Sequence, residues 1–474
     1  MFIGRERELN ALEKVYSKDS FGMTIIYGRR RIGKSFLITE FLKGKKAIFY
    51  TATKVGAGRN LELFARQVLE VLDPDYLDAT FSSVEAVLDL ITRKVSESAE
   101  RLVLVIDELP YWAEKDEALL SILQKYIDTQ WLDKNLMVIL CGSSLSFMEK
   151  KVLSEKSPVF GRKDSQIRLE PFNYRDSALF VPNYSAEEKA ICYGVTGGVA
   201  KYLSMFDPNK SLDENIKNQF FHTDGYLYDE TRNLLTQEFS DVTLANNIIE
   251  QVASGENALN VIALKIGEKE STVLYSLEKL MDVDLIEKKK CITEEKNKKK
   301  TQYVLKDHMF KFWYQFIPKA VSVIEMGQGD RYYDKVVKPQ LHFFMGSVFE
   351  EMCRYYTLEQ GILGAYGSFM TEVGTWWGVE RLKDEDGKWY QQATDIDVVG
   401  ISTIDKTAVI GECKFKKEKI DKGIYETLLG RARLITGKYA VTRFLLFSLS
   451  GFTDWFKETK PANTVLISVE DMYR

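Results

Sequence analysis

The sequence predicts an α/β protein in three successive parts. A domain on a parallel sheet comes first, then three short helices with a β-hairpin, then a mixed-sheet domain in αβββαβ order. Three observations carry this. Apolar runs at 23–27, 102–106 and 136–141 are short and continuous, as in strands buried on both faces, and the first leads directly into a helix-forming stretch. From Ile248 to Leu280 apolar residues recur at intervals of three and four, the period of short amphipathic helices. Late in the chain, Thr394–Gly400 and Ala408–Phe415 read as two strands joined by a connector short enough for a hairpin. The chain has 474 residues, and roughly 150 residues per domain again gives about three domains. The expected boundaries are 1–235, 236–320 and 321–474.

Composition narrows the classes. Hydrophobic residues at 45% and charged residues at 28% exclude gross disorder and collagen-like or mucin-like character. No apolar run approaches the roughly 18 residues of a membrane helix, and the charged N-terminus does not read as a signal peptide. The expectation is a cytoplasmic protein without a membrane partner. Five cysteines lie far apart with only three histidines, which supports neither a zinc site nor a disulfide framework, so the cysteines are expected as buried thiols.

In the first part, the strand at 23–27 runs into Gly28-Arg29-Arg30-Arg31-Ile32-Gly33-Lys34-Ser35 and then a helix-like stretch, Phe36–Leu42. This is the G-x-x-x-x-G-K-[ST] phosphate loop in its strand–loop–helix setting. Its backbone N–H groups wrap phosphates at a helix N-terminus, Lys34 reaches the β/γ-phosphates, and Ser35 offers its hydroxyl to Mg²⁺. ATP with Mg²⁺ is therefore the expected ligand. The strand 102–106 ends in Asp107-Glu108, where Asp107 can hold the magnesium shell and Glu108 can orient and deprotonate water. That pairing suits hydrolysis. After the strand 136–141 come Gly142-Ser143-Ser144, where either serine can report the γ-phosphate or simply make a turn. Arg162, in Phe160-Gly161-Arg162, is a candidate for neutralising transition-state charge in cis or across a subunit boundary. Side chains in such a loop mostly point away from nucleotide, so at least one of Arg29, Arg30 and Arg31 is expected on a solvated or partner face.

These segments, with Phe2-Ile3-Gly4-Arg5-Glu6 and the later Tyr193–Leu203 stretch, follow the order seen in a prokaryotic family. The chain resembles the AAA+/STAND-like archaeal-type ATPases that carry a C-terminal DUF234 domain. The resemblance implies a P-loop NTPase domain with a helical lid, Phe2 and Ile3 near the adenine, Ser143 at the sensor position and Arg162 at the arginine-finger position. The family's Gly-Gly-x-Pro-x-Tyr-Leu segment has Ala200 in place of proline, which implies a looser turn at Gly197 and Gly198.

The middle helices and the hairpin formed by Leu285–Ile292 and Tyr303–Leu305 make a winged-helix arrangement, with the helix at about 269–281 as recognition element. From Ile286 to Lys300 there are seven lysines against three glutamates in a chain whose net charge is −4. Such a patch suits the phosphate backbone of DNA, though Glu268, Glu270 and Glu278 argue against base-specific reading. The aromatic segment Asp307–Tyr314 reads as packing.

In the last part, period two places Glu412 and Lys414 on one strand face, and pairing brings Asp397 beside Glu412. Two carboxylates that close favour a cation between them, Mg²⁺ or Mn²⁺ bound through oxygens, and Lys414 can then steady charge during phosphodiester cleavage. The stretch resembles the PD-(D/E)xK nuclease superfamily. That resemblance implies a restriction-endonuclease-like fold and an additional acid at Glu350. A second reading of the whole chain stays open: a nucleotide-driven switch acting through a protein partner or homo-oligomer, with an inactive C-terminal domain.

Overall fold

The computed structural model describes residues 2–294, 300–383, 387–435 and 437–474. The chain forms two compact units, Met1–Pro171 with Val199–Lys201, and Phe172–Gly198 with Tyr202–Arg474. The segments expected as lid, winged helix and C-terminal domain lie mostly in the second.

In the first unit five parallel strands, β1 (Gly22–Tyr27), β2 (Lys46–Thr51), β3 (Leu102–Asp107), β4 (Leu136–Gly142) and β5 (Ser165–Arg168), stand in the order β2-β3-β4-β1-β5. Every residue of β1, β3 and β4 is buried, because helices cover both faces. Alternation sorts the side chains: Leu104 and Ile106 enter one core, Val103 and Val105 the other. Trp112, fully buried, packs against Tyr50 and Phe64 at ring distances of 5.5 and 5.3 Å, which fixes the helix Leu109–Ala113 just beyond the Asp107-Glu108 pair. With β4 between β1 and β3, the three carboxyl ends converge on one edge, where open α/β sheets bind ligands.

In the second unit, helices Val242–Ala253, Leu259–Ile266 and Glu270–Asp282 precede an antiparallel hairpin of β6 (Ile286–Lys290) and β7 (Thr301–Leu305). The helix Glu270–Asp282 buries Val273, Leu277 and Leu280 and exposes Tyr275, Glu278 and Lys279. Cys291 and Ile292, just past β6, are buried in the C-terminal core with Trp376 and Ile396, and the Ile292 N–H donates to the Thr375 carbonyl at 3.0 Å. Lys296, Lys298 and Lys299 lie outside the described residues. The aromatic helix His308–Phe316 buries Phe310, Phe312 and Phe316, as a packing element does.

The C-terminal domain begins with the helix Leu341–Ile362, followed by β8 (Glu372–Lys383), β9 (Trp389–Ser402), β10 (Thr407–Lys414), the helix Lys422–Arg431 and β11 (Ala440–Ser448). This is the αβββαβ order, extended by a further helix and β12 (Thr464–Ser468) in a mixed sheet β12-β11-β10-β9-β8. β9 and β10 pair antiparallel with Gly411 opposite Val398, while β10 and β11 run parallel. All five cysteines are free and buried. Among the described residues no helix is long and apolar enough to cross a membrane.

Candidate functional site

At the phosphate loop, Gly28 (φ 153°) passes so close to the chain that a Cβ would meet the Leu169 carbonyl oxygen at 2.4 Å, and Gly33 (φ 93°) turns the loop into the helix Lys34–Phe41. Gly28→Ala is expected to lower stability by roughly 1–3 kcal/mol and to weaken ATP binding. A thermal-unfolding midpoint lowered in buffer, and no longer raised by ATP, would show both. Lys34 is buried, and its ammonium donates to the carbonyls of Gly28 at 2.9 Å and Arg29 at 3.1 Å, which holds it at the loop. Ile32 is buried beneath the loop. Arg29 is buried, Arg30 and Arg31 are half-buried, and Arg30 donates to the Tyr111 hydroxyl from over its ring. The helix carrying Tyr111 draws Arg30 back along the site's edge.

The sheet edge links the acids to the loop. Ser35 donates to Asp107 at 2.7 Å, and the other Asp107 oxygen accepts the Glu108 N–H at 2.9 Å. Glu108 sits in the left-handed region, at φ 51°, and its carboxylate accepts from both the hydroxyl (2.7 Å) and the N–H (3.3 Å) of Ser143. Ser144 instead caps the next short helix, accepting from the Phe147 N–H. Of the two candidate serines, Ser143 is the one joined to the acids.

Phe2 stacks on Phe36 at 5.9 Å, beside Ser35, and Ile3 is half-buried next to it. Gly197 (φ 62°) and Gly198 (φ 68°) are both in the left-handed region, and a Cβ on Gly198 would come within 2.0 Å of the Phe172 carbonyl oxygen. Within the first unit, the Lys201 N–H donates to the Arg31 carbonyl at 3.0 Å, a contact with the phosphate loop that sequence reading missed. Arg162 forms a two-pronged ion pair with Asp128, both contacts at 2.6 Å, which raises the Arg162 pKa through that hydrogen bond. If it acts across a subunit boundary, specific ATP hydrolysis rises with protein concentration in the native chain and stays flat in Arg162→Ala.

In the second unit, the structure brings together the late acids. Asp397 and Glu412 are both buried, and Asp397 accepts the Cys413 N–H at 2.9 Å. Burial, then the neighbouring Glu412 and Glu350, push the Asp397 carboxyl up to about 7. Lys414 donates to one Glu412 oxygen at 2.6 Å and Arg431 to the other at 3.0 Å. Burial works against the Lys414 charge, but Glu412 more than offsets it and raises its pKa. Glu350 lines the same cleft, about 460 Å³, with Asp397, Lys414 and Lys311.

Sequence reading missed Arg354 and Arg431. Arg354 stands one turn after Glu350, a spacing that could have revealed it, and bonds Glu350 at 3.4 Å and the Asp397 carbonyl at 3.0 Å. Arg431 comes from a later helix, and no motif spacing points to it. The crowding of Asp397 against Glu412 fits a divalent cation by charge. Among the described residues, however, no group of three or more His, Cys, Asp or Glu side chains is placed to hold a metal, so such an ion would need water or phosphate to complete its ligands.

Comparison with known proteins finds two family matches in the chain. Residues 2–206 match the family described as "ATPase domain predominantly from Archaea", and residues 313–424 match DUF234, "Archaea bacterial proteins of unknown function". Uncharacterized protein MJECL04 of Methanocaldococcus jannaschii is 29% identical over 439 residues, 92% of this chain and 92% of that protein. Uncharacterized ATP-binding protein MJ0423 of the same organism is 46% identical over 46 residues, 10% of this chain and 78% of that protein. Among solved structures, the Walker-type ATPase PABY2304 of Pyrococcus abyssi shares the fold with a TM-score of 0.51 at 19% identity, over 66% of this chain and 96% of that one. The chain therefore carries an ATPase domain of archaeal type over residues 2–206 and a DUF234 domain over residues 313–424.

Proposed function

We propose that this chain binds and hydrolyses ATP at Gly28–Ser35 and couples nucleotide state to the handling of DNA in the cytoplasm. In this reading 1–235 is the ATPase with its lid, 236–320 a DNA-binding winged helix, and 321–474 a nuclease-like domain. The observation that carries it is the hydrogen-bonded edge running from Ser35 to Asp107 and from Glu108 to Ser143. Ser35 and Asp107, an oxygen pair 2.7 Å apart, suit Mg²⁺, which would supply charge against the β/γ-phosphates. Lys34 and the loop N–H groups hold the phosphates, Glu108 orients water and takes its proton, and Ser143 keeps Glu108 aimed. Phe2 and Ile3 flank the base, and Arg162 answers transition-state charge once released from Asp128.

Lys34→Ala tests the ATP assignment. ATP with Mg²⁺ is expected to raise the unfolding midpoint of the native chain and to leave that of the variant unmoved. An equal rise in both would reject Lys34 as a phosphate ligand.

For the C-terminal domain the leading reading is Mg²⁺- or Mn²⁺-dependent cleavage of DNA, with Asp397, Glu412 and Glu350 as the acids and Lys414 as the cation at the scissile phosphate. A second reading, a switch acting through a protein partner or a second copy, is favoured by one observation: both Glu412 oxygens are already bridged, by Lys414 and Arg431. Incubating the purified protein with DNA, ATP and each metal separates them.

A further inference from the structure

The lysine-rich hairpin, read from sequence as a wing, is anchored to the C-terminal domain by Cys291 and Ile292. That anchoring puts Lys289 over the Trp377 ring at 6.0 Å, on the strand that follows the helix bearing Glu350. The hairpin and the C-terminal domain then line one cleft of about 380 Å³, whose cations are Lys289, Lys290, Lys306 and Arg354 and whose carboxylates are Glu287 and Glu351. Three of these charges are already answered nearby: Lys306 is paired with Asp284 at 2.7 Å, Glu351 with His308 at 3.0 Å and Arg354 with Glu350 at 3.4 Å. Arg354 joins this cleft to the acidic one, because it also bonds the Asp397 carbonyl. The second cleft, which Asp397 and Glu350 line, carries Lys311, Lys414 and Lys416.

We propose that the hairpin cleft is a phosphate-binding subsite for DNA, in which Lys289 and Lys290 with Arg354 grip backbone phosphates flanking the one presented to Asp397 and Glu412. The proposal rests on the DNA reading above and deepens it. A cleft with cations from the hairpin and the C-terminal domain, joined through Arg354 to the cleft that holds Asp397, suits a ligand carrying a series of negative charges, and a phosphodiester chain is such a ligand. Burial lowers the Lys289 pKa, consistent with a cation held partly out of water, where a phosphate partner counts for more. The winged helix and the nuclease-like domain would then hold one stretch of DNA together.

The test uses the full chain, fluorescein-labelled duplex DNA and the corresponding single strand, with Ca²⁺ replacing Mg²⁺. The double variant Lys289→Gln/Lys290→Gln is expected to raise Kd about tenfold and to reduce the slope of log Kd against log salt by about two. Lys289→Arg/Lys290→Arg should restore both, with unchanged unfolding midpoints. An unchanged Kd and slope overturns the proposal, as does a loss that arginine fails to restore, or a native chain that binds neither DNA form. Cleavage is measured separately with Mg²⁺ and Mn²⁺. Its absence would reject the nuclease reading and leave Kd and slope to decide this one.

Discussion

Glu108→Gln is expected to lower ATP turnover by roughly 10²–10⁴-fold while leaving ATP affinity near that of the native chain. Glu108 ends a fully buried strand and is held at φ 51°, a backbone conformation costly for a residue with a Cβ. The fold sustains it because the N–H is taken by Asp107 and the carboxylate by Ser143. Glutamine keeps the length and one acceptor oxygen, so the Ser143 contact and the loop survive, but an amide cannot take a proton from water. The loss should therefore fall on kcat, with the ATP-induced rise in unfolding midpoint retained. Lys34→Ala differs, since it removes the phosphate contact and should abolish both. A glutamine variant that turns over ATP within about twofold of the native rate would make Glu108 only a tether for Ser143.

The contrast between these residues shows what was legible in the sequence. Strand, loop and helix at 22–41 follow from local pattern, since an unbroken apolar run reads as a strand buried on both faces and the loop glycines demand φ values that few other residues adopt. The approach of the 394–400 and 408–415 segments was also readable, because a short connector sets antiparallel pairing, which ends with Gly411 opposite Val398, one residue short of Glu412 and Asp397. Contacts made by residues distant in sequence were not. Lys201 reaches the phosphate loop and Arg431 reaches Glu412 only through tertiary packing. The hairpin shows the same limit from the other side: its charge suggested contact with a phosphate backbone, but where it packs follows from Cys291 and Ile292, two apolar residues beside the lysines. Burying them fixes the lysine positions, and net charge carries no such information.

Lys414→Ala is expected to reduce metal-dependent DNA cleavage by roughly 10²–10³-fold. The ammonium stands 2.6 Å from Glu412 with 27% of its side chain exposed, so it can both hold that acid and meet a phosphate in the cleft. Its loss should cost little stability, because the buried Glu412 carboxylate still pairs with Arg431 at 3.0 Å and is not left without a cation. Affinity for DNA should fall little, by the equivalent of about one phosphate contact in the salt slope. A large loss of cleavage with stability and binding nearly intact would place Lys414 at the reacting phosphate. If the native chain cuts no DNA with Mg²⁺ or Mn²⁺, the double bridging of Glu412 gains a different meaning. Lys414 and Arg431 would then occupy the acid permanently, in the place a divalent cation would need. The same substitution would leave ATP-dependent behaviour untouched, and the C-terminal domain would act by holding a partner.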